Sequence, residues 1–268
     1  MYKSTIEAID FAELYSIQRA ASTHKKKDKD SWDKKAFDMN KKIHQGFYND
    51  TIEQSIAFDK EATLLDVGCG PGTFSLRFAP FFKEVIAFDF SSKMIEVLHE
   101  NAKNKEIKNI KTLIHDMESS WEDIPACDVV LASRCLEVDD IQKVLKELDT
   151  HAKKAVYLTY KVGKSYLDEQ VLQAMGRKIT PKPDYIYLLN VLYNMGIHAE
   201  LKLIYPQSSS CTTISSEEEY IQSIKWSLDG ISEEEARKAR EFYQQCMKDG
   251  VAPPLRDERW ALIFWQKI

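Results

Sequence analysis

The chain has 268 residues, 44% hydrophobic and 29% charged, which suits one or two globular domains with a sizeable core. With 37 lysines and arginines against 42 acidic residues, the net charge of −5 offers little long-range attraction to a polyanion and disfavours nucleic acid as a partner. No run approaches the roughly 18 apolar residues of a membrane helix, and Glu7, Asp10 and Glu13 interrupt the stretch where a secretory signal would be apolar.

In chain order, residues 24–42 (HKKKDKDSWDKKAFDMNKK) interleave lysines with Asp28, Asp30, Asp33 and Asp38, the pattern of a solvated helix face or a mobile arm. Trp32 and Phe37 need a partner surface, so the segment is expected to dock on the body of the protein. Residues 46–58 read as another short helix, and 1–60 together as a helical cap or lid. From 61 to 268 a second unit follows, in which short apolar runs at 63–68, 84–89, 110–116, 127–133 and 155–160 alternate with helix-like segments at 72–82, 91–104 and 138–150. That alternation predicts βαβ units and an α/β fold with a parallel sheet covered on both faces. Residues 184–196 then read as a helix, with strands at 198–205 and 259–268. The two long connections, 162–183 and 207–257, are expected as insertions at the mouth of a site or across it. The five cysteines lack any C-x-x-C pair and the six histidines are scattered, which points to a reducing, cytoplasmic compartment and no metal site.

Three of the nine glycines fall within five positions, Gly68, Gly70 and Gly72, directly after the strand TLLDV and before a helix. Glycine at such a turn permits positive φ and close approach of a ligand to the backbone. Asp89 closes the next strand 19 positions after Gly70, where an α/β nucleotide site places an acid on ribose hydroxyls. A dinucleotide fingerprint is missed, because its third small position falls on Thr73 or Ser75. The carboxylate of Asp66, two residues before Gly68, would repel a pyrophosphate but suits an ammonium or sulfonium.

The run LLDVGCGPG resembles the first motif of class I S-adenosylmethionine-dependent methyltransferases, and the resemblance continues in order through VIAFDFSSKM, IHDMESSW and CDVVLAS, covering about residues 62–161. It implies a Rossmann-like doubly wound sheet of seven mostly parallel strands, the last antiparallel, with S-adenosyl-L-methionine as cofactor and S-adenosyl-L-homocysteine as product. It implies further that Asp66, Gly68, Cys69 and Gly70 surround the methionine moiety and that Asp89 takes the ribose hydroxyls. Phe90 and Met94 would pack on the adenine, Asp116 and Met117 would meet its polar edge, and Ser133 would lie beneath the sulfonium.

In-line methyl displacement relies on positioning and desolvation, so the sequence names no catalytic residue. Ala132-Ser133-Arg134-Cys135 lacks the Asn/Asp-Pro-Pro-Tyr/Phe motif typical of amino-methylating enzymes acting on adenine or glutamine. Arg134, Tyr160 and Tyr185 are the candidates for an acceptor pocket, with Arg134 free either to meet an acidic substrate group or to pair with Glu137 or Asp139. Cys135 reads as a semi-buried structural cysteine rather than a nucleophile. Trp32 and Trp226 would supply apolar lid surface, which fits a small acceptor better than a polymer. An RNA or protein methyltransferase, or a catalytically silent cofactor-binding regulator, stands as the alternative. The apolar stretch YIYLLNVLY serves either a pocket wall or a dimer face.

Overall fold

Seven strands, β1 (Asp59–Val67), β2 (Phe82–Asp89), β3 (Ile110–Ile114), β4 (Cys127–Ala132), β5 (Ala152–Lys161), β6 (Glu200–Ile204) and β7 (Trp260–Gln266), join in one sheet of order β3-β2-β1-β4-β5-β7-β6. The structure is a computed structural model describing residues 5–205 and 214–267. Residues 207–213 of the second expected insertion, with Cys211, lie outside the described residues. The pairs β1·β2, β1·β4, β2·β3 and β4·β5 are parallel, and β7 runs antiparallel to both β5 and β6. The chain leaves β1 toward β3 and returns to the other side of β1 at β4, so the strand order reverses there. A crevice opens beyond the carboxyl ends of strands at such a point.

Strand alternation assigns the two faces. Leu65, Val67, Ile86 and Phe88 join a core beneath helices α1 (Phe11–Ala21), α6 (Ile141–His151) and α8 (Tyr185–Asn194). Leu64, Val85, Val129 and Leu131 pack on the opposite face with α3 (Phe47–Glu53) and α4 (Thr73–Phe78). There α5 (Ser92–Asn104) adds Ile95 and Leu98 against Ala87. Helix starts are set by short polar side chains that accept orphan backbone N–H groups: Asp28 from Ser31, Ser91 from Met94, and Asp140 from Lys143.

The N-terminal helices form a strap. α1 lies on one face, α3 on the other, and α2 (Lys29–Asn40) crosses between them to pack on α5. The 24–42 segment thus docks through Trp32, Ala36 and Met39 on Met94 and Val97, whereas Phe37 stays exposed.

The two insertions fold onto each other. α7 (Glu169–Met175) from the first packs with α10 (Glu233–Lys248) from the second, and α10 packs with α9 (Glu217–Leu228). Their own core unites Val171 and Leu172 with Tyr220, Ile224 and Ala239. α10 opens on a reciprocal capping box between Ser232 and Glu235. This body does not line the crevice; it meets the strap instead, where Trp226 packs edge-on to Trp32 at 5.5 Å. The expected apolar lid surface of Trp226 is therefore spent on holding the strap.

Candidate functional site

Each glycine of the β1–α4 turn has positive φ, +62° at Gly68, +54° at Gly70 and +87° at Gly72. The reasons differ. A Cβ on Gly68 would sit 2.5 Å from Cys135 Cβ and one on Gly72 2.7 Å from Leu98 Cγ, so those two are packing positions. A Cβ on Gly70 would meet nothing within 4 Å, so there the bare backbone faces open space in the crevice. The turn is tied to β2 by Cys69 N–H donating to the Phe88 carbonyl at 3.0 Å.

Two buried carboxylates flank this turn. Asp66 is 2% exposed and accepts from Ser75 Oγ at 2.5 Å. Burial, against the pull of Ser75, raises its pKa to about 7, with the charge of Asp89 adding to the rise. Asp89 accepts from Gly70 N–H and Ser91 N–H, each at 2.9 Å. Burial nevertheless pushes its carboxyl above the usual range. Asp89 is only 7% exposed, and α2 passes close by, where Asp33 accepts from Ser91 Oγ.

Farther along the crevice, Phe90 is half-buried, and Met94 is buried under α2. Asp116 is exposed and accepts from Glu118 N–H at 3.0 Å, while the half-buried Met117 gives its carbonyl to Trp121 Nε1 at 2.8 Å. All four line the crevice with Asp66, Gly68, Cys69, Gly70, Asp89, Ser133 and Arg134. Cys69 is buried, and burial raises its thiol well above the ordinary range, as suits a compact filler.

At the end of β4, Tyr48 Oη hydrogen-bonds both Ser133 Oγ at 2.7 Å and Thr159 Oγ1 at 2.6 Å. Arg134 adopts φ +57°, its N–H donates to Thr159 Oγ1 at 3.0 Å, and its guanidinium lies 3.5 Å from the centre of the Tyr48 ring. It pairs with neither Glu137 nor Asp139 but reaches Asn49 Oδ1 at 3.3 Å. Cys135 donates to the Val67 carbonyl at 3.2 Å and is held as a thiol by burial, which suits a packing role.

Tyr160 and Tyr185 do not line this crevice. Tyr160 lies in the core with its hydroxyl 3.3 Å from that of Tyr15, which bonds the Val138 carbonyl at 2.9 Å. Seating α1 closes the strand end that the sequence leaves open at Tyr160. Tyr185 begins α8 and packs half-buried on the same core.

Several crevice residues escaped sequence reasoning. Glu137 accepts from Lys182 Nζ and His24 Nε2, each at 2.8 Å, and from the Tyr166 hydroxyl. Burial works against its charge, but the Lys182 ammonium and His24 hold its carboxyl well below the usual range. Its partners lie 29 to 113 positions away, so no local signal marks it. The crevice wall from the strap includes Lys26, Trp32, Met39 and Ile43, of which only Trp32 was marked by its composition. Thr73 Oγ1 and His115 Nε2 line the crevice, buried and without a hydrogen-bond partner among the described residues. Orphaned polar atoms of this kind ask for a ligand with its own polar groups. Together with two buried carboxylates and a bare glycine backbone, they fit an adenosyl ligand with a cationic centre. Among the described residues no cluster of histidines, cysteines and acids has the makings of a metal site.

Comparison with known proteins agrees with this geometry. Residues 58–202 match the family described as a methyltransferase domain. A Haemophilus influenzae protein described only as uncharacterised is 36% identical over 263 residues, spanning 97% of this chain and 98% of the relative. An uncharacterised RNA methyltransferase of Halalkalibacterium halodurans is 30% identical over 151 residues, 53% of this chain and 32% of that protein. Among solved structures, a phosphoethanolamine N-methyltransferase 2 of Haemonchus contortus, in complex with phosphomonomethylethanolamine and S-adenosylhomocysteine, shares the fold. Its TM-score is 0.57 at 16% identity, over 97% of this chain and 61% of that one. A switch-point crevice with paired buried acids, and a family match over more than half of the sequence, have one reading: the chain belongs to the methyltransferase domain family and is an S-adenosyl-L-methionine-dependent methyltransferase.

Proposed function

We propose that the chain methylates an O or N atom of a small-molecule acceptor in the cytoplasm. The observation that carries this reading is the strap: α2 lies across the crevice edge, and Trp32, Met39 and Ile43 give it an apolar wall. Such a wall excludes water around a small ligand and leaves little room for a polymer. S-adenosyl-L-methionine, when bound, supplies an electrophilic methyl group on a sulfonium. Ionised Asp66 favours a cation near the turn, where Gly68, Cys69 and Gly70 cradle the methionine moiety. Asp89 would accept from the ribose hydroxyls, Phe90 and Met94 would flank the adenine, and Asp116 and Met117 would meet its polar edge. Ser133 would hold the sulfonium end of the cofactor and Arg134 would face the acceptor. Tyr160 and Tyr185 take no part.

The RNA methyltransferase relative favours RNA as a second reading. A basic groove would have to come from the strap or from the lysines at 102–111, and of these Lys26, Lys27, Lys42 and Lys111 are engaged by Glu118, Asp229, Glu219 and Glu84. Thermal unfolding with S-adenosylmethionine, S-adenosylhomocysteine and NAD(H) tests the cofactor. A ligand at about 100 times its dissociation constant adds roughly 2.7 kcal/mol to the folded state. Stabilisation by the adenosyl ligands alone is expected, and stabilisation by NAD(H) instead would overturn the reading. Label transfer from methyl-labelled cofactor to small amines and alcohols, set against transfer to RNA, decides the acceptor class.

A further inference from the structure

Glu137 stands at the acceptor end of the crevice with its partners behind it. It follows β4, its N–H donating to the Cys135 carbonyl at 2.9 Å. Its Oε1 accepts from Lys182 Nζ at 2.8 Å and from the Tyr166 hydroxyl, and its Oε2 meets His24 Nε2 at 2.8 Å. None of these three partners lines the crevice, whereas Glu137 does. Lys182 is 4% exposed, its ammonium over the rings of Tyr160 and Tyr166 at 4.8 and 4.4 Å. The crevice therefore meets the carboxylate, 24% exposed, and not the groups that hold it.

An ionised carboxylate offers about four lone-pair sites. Among the described residues two bonds reach Oε1 and one reaches Oε2, so Oε2 keeps room for a donor from the crevice. A tie between the strap and the first insertion would not need that opening. The neighbouring cations of the lining are turned aside. Lys26 pairs with Glu118, and Arg134 lies on the Tyr48 ring, which packs with the core on the opposite face of the sheet from Leu136 and Val138. Against burial, the Lys182 ammonium and His24 hold the Glu137 carboxyl well below the usual range, which makes it a lasting anion and a poor base. It is unsuited to take the proton that a hydroxyl acceptor must lose. It is suited to receive an N–H and to face the positive charge that grows on a methylated nitrogen.

Resting on the small-molecule reading above, we infer that the acceptor atom is an amine nitrogen and that Glu137 positions it, taking an N–H of the acceptor on Oε2. With that N–H held, the lone pair of the neutral amine points away from the carboxylate. It forms the new C–N bond while the S–C bond breaks and leaves its electron pair on sulfur. The nitrogen becomes cationic beside Glu137 without any proton moving in that step, and the proton it sheds afterwards goes to water.

The test uses the full chain saturated with S-adenosylhomocysteine and titrated with benzylamine, benzyl alcohol or benzoate at matched ionic strength. Benzylamine should raise Tm at concentrations about tenfold below those the alcohol needs, and benzoate should not raise it, since hydrogen bonds to a charged group are worth that much. Glu137→Gln should weaken the benzylamine response about tenfold or more and leave the response to S-adenosylhomocysteine within about twofold. A carboxylate that served only to anchor Lys182 would make Lys182→Met lose the amine response equally, whereas here that variant should keep or strengthen it. Where Glu137→Gln alone fails to fold, the double variant Glu137→Gln/Lys182→Met removes the buried pair as a unit and should show the same loss. Equal responses to amine and alcohol, or equal losses in Glu137→Gln and Lys182→Met, would overturn the inference. In turnover with methyl-labelled cofactor, primary amines should take the label and alcohols of the same skeleton should not. Label on oxygen with amines ignored would overturn the inference and leave the small-molecule reading standing, and label in RNA alone would overturn both.

Discussion

The two halves of the crevice are assembled in different ways. The glycine-turn half is local: Asp66, the glycines, Asp89 and Met94 come from 29 consecutive residues of one strand–turn–helix–strand–helix unit, held by backbone bonds such as Cys69 to Phe88. The acceptor half is remote: Tyr48, Arg134 and Thr159 meet at the end of β4, and Glu137 gathers His24, Tyr166 and Lys182. A locally built site keeps its geometry whenever its unit folds. A remotely built one depends on the seating of the strap and the insertion body.

Substitutions can break or sharpen that contrast. The largest effect is expected at Asp89. Asp89→Ala should weaken S-adenosylhomocysteine about 100-fold by calorimetry, the worth of two hydrogen bonds to a charged group. Because Asp89 also satisfies Gly70 and Ser91, the variant should lose about 1–3 kcal/mol of stability in urea. An unchanged affinity would remove Asp89 from the ribose role.

Next comes pH. The Asp66 carboxyl is raised to about 7 in the folded chain against 3.8 in its ordinary state, so the folded state keeps a proton that the unfolded chain gives up. The stability this confers is full below about pH 4 and lost as pH rises through about 7, a decline that Asp66→Asn should lack. A cationic ligand prefers the carboxylate, so S-adenosylmethionine affinity should rise up to roughly tenfold between about pH 6 and 8, and stay level in Asp66→Asn. Level affinity in both proteins would separate Asp66 from the cationic end of the cofactor.

A smaller effect is expected where the strap is anchored. Trp226 holds Trp32 edge-on, with Lys27 and Lys35 over its ring at 5.1 and 5.2 Å. Trp226→Ala should free residues 24–42 to proteolysis and weaken S-adenosylhomocysteine severalfold, since such contacts are worth about 1–2 kcal/mol together. The smallest is at Tyr160. Tyr160→Phe removes one long bond to Tyr15, worth about 0.5–1 kcal/mol of stability, and should leave turnover within twofold. A large loss of kcat there would return Tyr160 to the acceptor site.

The same contrast sets what could be read from the sequence. Sheet, helices and glycine turn were legible because alternating apolar runs and clustered glycines state local geometry directly. Asp66 and Asp89 were placed by their offset from the turn, but not their burial, because Asp33 of the covering helix α2 lies 58 residues upstream of Ser91 and the helix's charges read as solvated. Tyr160 was drawn to the site by its place at a strand end, since nothing in sequence shows that Tyr15 closes that end. The insertions read as cover for the crevice, whereas Val171, Leu172, Tyr220 and Ile224 have enough apolar surface to satisfy one another. Glu137 had no readable mark, because its role exists only once three distant segments converge.

The course of the strap has a kinetic consequence. α2 cannot swing aside as a flap hinged at one end, because α1 and α3 are seated on opposite faces of the sheet. Were spent cofactor to leave past α2, the helix would have to rise as a loop pinned at both ends. Chemistry in the closed crevice would then outrun release, and rapid mixing of enzyme, cofactor and a good acceptor should give a burst near one equivalent of methylated product before a slower steady rate. A time course linear from the first turnover would show that departure is not what paces this enzyme.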